Sequence, residues 1–105
     1  MSRRRRRTPS RRDPSENTAR FLIGLAAVTR IIRARDRLSQ AEVARRAGLE
    51  YKFIGAIEHC RANPTVKHMG QLAQGLGLAG AAELAMETED AASRIVDATT
   101  TRPTE

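Results

Sequence analysis

Tyr51, Lys52, Gly55, Ala56 and His59 form the outward face of a short amphipathic segment whose inward face is Ile54 and Ile57. A phenol and an ammonium at its start are poor tools for making or breaking covalent bonds. They suit hydrogen bonding and charge neutralisation against a surface rich in acceptors. Upstream, Ser39 precedes Glu42 by three residues, the spacing of a capping box that satisfies the orphaned N–H groups of a new helix. Val43, Ala44 and Ala47 give that helix an apolar stripe, with Ala44 at the crossing where a larger side chain would push the helices apart. Gly48 follows, where the chain needs a positive φ. Two short helices around a glycine turn form a helix-turn-helix, which lays its second helix in a DNA groove. Residues near the start of that helix reach base edges, so Tyr51 and Lys52 lead.

The elements that must position this pair are all helical. Asn17 or Thr18 caps a first helix running to about Arg35, with Leu22, Leu25, Thr29 and Ile32 along one stripe and Val28 beside it. Phe21 and Ile23 fall outside that stripe, to cover the core edge or meet another subunit. Helices two and three span about residues 40–47 and 51–59. Pro64 then forces Asn63 out of the α region, and Thr65 caps a fourth helix over about 66–75 that buries Met69, Leu72, Ala73 and Leu76. Gly77 stops it, and a fifth helix over 78–86 folds Leu84 back on the core. The expected organisation is a disordered arginine-rich arm at 1–16, a DNA-binding domain at 17–86, and a weakly helical to disordered acidic tail at 87–105.

With 105 residues and three aromatics, the chain has room for one small helical domain and lacks the stacking platforms of RRM or OB folds. The net charge of +7 is uneven: residues 1–37 carry +9, residues 38–79 carry +2 and residues 80–105 carry −4. A basic front and an acidic back point to an anionic partner approached from one side, namely double-stranded DNA. The plainer alternative is that the arginines only solubilise a tail. The single Cys60 can form no internal disulfide, which fits a reducing cytoplasm. His59, Cys60 and His68 lack a fourth zinc ligand, and the apolar run from Phe21 to Val28 is too short to span a bilayer. No catalytic constellation and no cofactor motif appears, so the reading is of a protein that is not an enzyme.

From about residue 22 to 85 the chain resembles the Cro/repressor-type, or XRE, helix-turn-helix family. The residues that carry the resemblance are L-S-Q at 38–40, A-x-x-x-G at 44–48, I-x-x-I-E at 54–58, N-P-T at 63–65 and L-A-x-x-L-G-L at 72–78. It implies a compact five-helix, lambda-repressor-like fold that binds palindromic operators as a homodimer. It also implies that Gln40 contacts a phosphate and braces the recognition helix, while Tyr51, Lys52, Gly55 and Ala56 face the bases. Arg61 and Asn63 would run along the phosphate backbone, and Arg33 and Glu58 would pair between helices one and three. Three positions depart from the family pattern. Glu50 replaces the usual Ser or Thr cap, Cys60 replaces a glycine, and Gly55 and Ala56 have almost no hydrogen-bonding reach.

The reading that follows is a bacterial, cytoplasmic and nucleoid-associated transcriptional regulator, acting as a repressor by occupying an operator. The sequence leaves two alternatives. One is an antitoxin that also autoregulates, its protein partner held by the acidic stretch from Ala81 to Ala98. The other is a largely nonspecific DNA-coating protein gripping through the arginine arm.

Overall fold

Pro14 opens the first helix of the computed structural model, which describes residues 14–98 of the chain. Proline suits a helix's first position, because its missing N–H has no partner there and its φ is already helical. α1 (Pro14–Asp36) therefore starts ahead of the expected Asn17 or Thr18 cap, and claims the last residues assigned to the arm. The rest of the arm and residues 99–105 lie outside the described residues. Next come α2 (Gln40–Ala47), α3 (Tyr51–Glu58), α4 (Val66–Gly75) and α5 (Ala81–Ala92), which runs on into a π-helical turn (Ser93–Asp97). The described residues contain no strand, and the architecture is the expected all-α, five-helix one.

Helices as short as the eight residues of α2 and α3 do not persist alone, so their form depends on what they bury. Leu25, Val43, Ile54, Leu72 and Leu84, one from each helix, are buried to within about 1% of their surface. Two glycines let helices approach closely. A Cβ on Gly24 would collide with the Thr88 carbonyl oxygen, where α1 crosses α5. One on Gly75 would meet the Val43 carbonyl oxygen at 2.8 Å, where α4 crosses α2.

The fifth helix departs from expectation. It starts at Ala81 rather than Leu78 and continues past Met86, burying Thr88, Ala91 and Ala92. Arg20 explains why the last turns stay attached to α1. The residue is 7% exposed, and its guanidinium donates to both Asp97 carboxylate oxygens at 3.0 and 2.7 Å, to Glu89 at 2.5 Å and to Ser93 Oγ at 2.9 Å. Much of the stretch from Ala81 to Ala98 is thus packed against the domain's own helices.

α1 to α4 each end in a left-handed residue: Arg37 (φ 59°), Gly48 (70°), Cys60 (58°) and Gly77 (79°). In every case the next N–H reaches back to a carbonyl of the last turn, from Leu38, Leu49, Arg61 and Leu78 at 2.8 to 3.0 Å. This is the Schellman motif, whose following residue is often apolar and tucks inward. Leu38, Leu49 and Leu78 pack on the core in that way; Arg61 is exposed.

Gly24→Ala should lower unfolding free energy by about 1–3 kcal/mol through overpacking. Gly70→Ala, with nothing within 4 Å of its Cβ, should raise it by up to about 1 kcal/mol. Urea denaturation followed by circular dichroism reads both. Cys60→Gly should stabilise the chain by about 0.5–1 kcal/mol, since relief of the left-handed strain exceeds glycine's added chain entropy.

Candidate nucleic-acid interface

Glu58, the last residue of α3, is the point from which the candidate interface is held. It is 2% exposed, and three side chains converge on it. Arg33 of α1 donates to both carboxylate oxygens, Nε to Oε2 at 2.7 Å and Nη2 to Oε1 at 3.0 Å. Gln40, at the start of α2, donates Nε2 to Oε1 at 2.8 Å. Arg30 donates to the Glu58 backbone carbonyl at 2.6 Å, and Arg33 also reaches the Leu38 carbonyl at 3.0 Å. One carboxylate therefore fixes α1, α2 and α3 to each other. Burial pushes its pKa upward, but the Arg33 and Gln40 hydrogen bonds and the charges of Arg33 and Arg30 outweigh that and hold it below the ordinary carboxylate value.

The turn between α2 and α3 is secured from the other side. Ser39 Oγ accepts the Glu42 N–H at 3.0 Å, but the capping box is only half made, because the Glu42 carboxylate turns to Arg45 and Arg46. Those two arginines thus belong to a solvated face of α2. Gln71 of α4 donates to the Ala47 and Gly48 carbonyls at 3.3 and 3.2 Å, and Gln74 donates to the Arg46 carbonyl at 3.4 Å. A complete capping box lies at the start of α4, where Thr65 Oγ1 accepts from His68 N and His68 Nδ1 accepts from Thr65 N. The same imidazole leans on Phe53 of α3 with ring centroids 4.6 Å apart.

What α3 presents outward is narrower than its sequence suggests. Tyr51 is 58% exposed and Lys52 is exposed beside it, both in the first turn. His59 is exposed too, but its Nδ1 lies 2.8 Å from the Gly55 carbonyl and serves to end the helix. Gly55 and Ala56 are half-buried rather than fully outward. A Cβ on Gly55 would lie 3.7 Å from Gln40 Oε1, and Ala56 packs against the core. Glu50 precedes Tyr51 in extended conformation and makes no side-chain cap hydrogen bond. Arg61 and Asn63 stand exposed in the following loop, pinned between them by the buried Ala62.

The structure brings Gln40 and Gly55 together and leaves Tyr51, Lys52, Arg61 and Asn63 as exposed polar groups on α3 and the loop after it. Arg30, Gln71, Gln74 and the His68 ring are supports that sequence reasoning missed, since each acts on a carbonyl or ring distant in the chain. No group of three His, Cys, Asp or Glu among the described residues is placed to hold a metal. No helix among them is long and apolar enough to cross a membrane.

No family model matches the chain, and no curated protein sequence matches it. It is similar to a solved structure, a crystal structure of a point mutant of the restriction-modification controller protein C.Esp1396I. The two superpose with a TM-score of 0.58 at 24% sequence identity, over 67% of this chain and 89% of that one. The likeness is one of fold.

Stability should fall as pH drops through and below 4.5, the ordinary value for such a carboxyl, as Glu58 is forced to protonate. The sign follows from a folded-state pKa held low: the contribution is complete above the ordinary value and disappears as pH passes below the folded one. Glu58→Gln should remove this part of the pH dependence and cost about 3 kcal/mol at neutral pH, near the low end for breaking a buried pair. Thermal melts across pH measure both.

Proposed function

We propose that this chain is an XRE-type transcriptional regulator that binds double-stranded DNA as a homodimer and represses by occupying an operator. The observation that carries the reading is the Glu58 network: α1 and α2 hold α3 rigidly by its far end, and its first turn, Tyr51 and Lys52, projects into solvent. A helix so held docks by its N-terminal residues in a major groove. Tyr51 and Lys52 supply the direct readout, Lys52 to a guanine edge or a phosphate. Gln40 braces α3 through Glu58, and its second amide hydrogen is left for a backbone phosphate. Arg61 and Asn63 line the phosphate track. Gly55 adds no side chain, and the half-buried Ala56 offers at most a methyl contact with thymine.

Selectivity on this reading is narrow, and affinity leans on charge. The arginine-rich segment before α1 adds phosphate contacts that read no base. An antitoxin role through the stretch from Ala81 to Ala98 finds no support, because Leu84, Thr88, Ala91 and Ala92 are already buried within the domain.

Selection from a random duplex pool should yield a preferred sequence for the full chain. Replacing Tyr51 and Lys52 together with Ala should erase that preference while leaving the melting temperature unchanged. Removing residues 1–13, which carry seven arginines, should weaken all duplexes alike. It should also flatten the salt dependence by about 0.9 log units for each phosphate no longer neutralised. Equal affinity of the full chain for every duplex would instead make it a nonspecific coating protein.

A further inference from the structure

We propose that Glu50 determines specificity at the α3 surface: its carboxylate reads the exocyclic amine of a cytosine and penalises the other bases at that place. Three carboxylates lie between Leu38 and Asn63. Glu58 is taken by Arg33 and Gln40, and Glu42 by Arg45 and Arg46. Glu50 is exposed, makes no cap hydrogen bond and forms no ion pair among the described residues. Its backbone, by contrast, is held on both sides. The Glu50 carbonyl accepts the Phe53 N–H at 3.0 Å, the Leu49 N–H reaches the Ala44 carbonyl at 3.0 Å, and Gln71 donates to the Ala47 and Gly48 carbonyls. An unpartnered carboxylate is thus delivered from a fixed place, immediately ahead of Tyr51 and Lys52. Lys52 stands two residues on, and side chains so spaced do not face each other.

The inference rests on the regulator reading, in which this turn of α3 enters a major groove. A carboxylate there can only accept hydrogen bonds. Guanine shows it O6 and N7, and thymine O4 and a methyl, so neither offers a donor. Adenine offers its N6 amine beside the N7 acceptor, which opposes the second carboxylate oxygen. Among the four bases, cytosine alone presents an amine with no acceptor. The flanking phosphates repel the same carboxylate at every site, so Glu50 adds little affinity of its own. Where cytosine supplies its N4–H, that repulsion is offset; elsewhere it stands, and the wrong sites are rejected. Tyr51 and Lys52 seat the turn, and Glu50 selects among the sites they can hold.

Selection from a random duplex pool, followed by titration of the selected duplex, tests the proposal. The wild type should require cytosine at one position, and any other base there should weaken binding about tenfold. N4-methylation of that cytosine, which replaces the outward N–H, should do the same to the wild type and leave Glu50→Ala unaffected. Glu50→Ala should lose the preference at that position alone and bind unrelated duplexes more tightly. Glu50→Gln should turn the preference toward adenine, since a carboxamide pairs with N6 and N7 together. Glu50→Ser, which restores a capping hydroxyl, should raise the melting temperature without recovering the cytosine, separating base reading from a structural role. A Glu50→Ala variant that keeps the wild-type preference at every position overturns the proposal and leaves the regulator reading standing. So does a wild type indifferent to N4-methylation, or a cytosine preference that Glu50→Ser preserves. Equal affinity of the wild type for every duplex overturns both.

Discussion

A single buried carboxylate organises this domain. Glu58 sits at the end of a helix too short to stand alone, almost sealed from solvent. Left unpaired there, its charge would cost several kcal/mol, roughly as much as a small domain has to spare. The chain must therefore bring Arg33 and Gln40 to it, and in doing so sets α1, α2 and α3 at one mutual geometry. Apolar contacts among Leu25, Val43 and Ile54 make the helices adhere; the directional hydrogen bonds to Glu58 fix their orientation. The outward turn of α3 inherits its rigidity from this inner end.

Close packing sets the rest. Gly24 and Gly75 stand where helix backbones approach within the space of one Cβ, and the four left-handed helix ends turn the chain sharply enough to keep its connections short. Leucines after three of those ends fold back on the core. Arg61 occupies the equivalent place after α3 and stays outside. An otherwise repeated structural rule is broken once, beside the candidate interface.

Much of this was legible in the sequence because it is local. The Ser39 cap, the Gly48 turn, the Ile54 and Ile57 spacing and the stripe on α4 all depend on residues within a turn or two of each other. What escaped was long-range. Arg20 reads as one more solvated arginine until Glu89, Ser93 and Asp97 are folded onto it from the far end of the chain. Gly24 reads as a weak spot in a helix until Thr88 lies against it. The acidic composition after Met86 suggested a tail, yet Thr88, Ala91 and Ala92 recur at helical spacing and are buried. In the interface, the exposed Tyr51 and Lys52 followed from helix position alone. The half-burial of Gly55 and Ala56 depended on Gln40 and the core, which no local pattern reveals.

Gly55 differs from the two packing glycines in a way that bears on how such a protein diverges. Its missing Cβ meets nothing closer than an ordinary contact with Gln40, so the site can accept a side chain without moving a backbone. The helices that support α3 rely on Ile54, Ile57 and Glu58, none of which such a change would touch. Packing and outward face are thus separable: on the function proposed above, a single substitution at this vacant position would change what α3 offers a duplex while the fold stays the same.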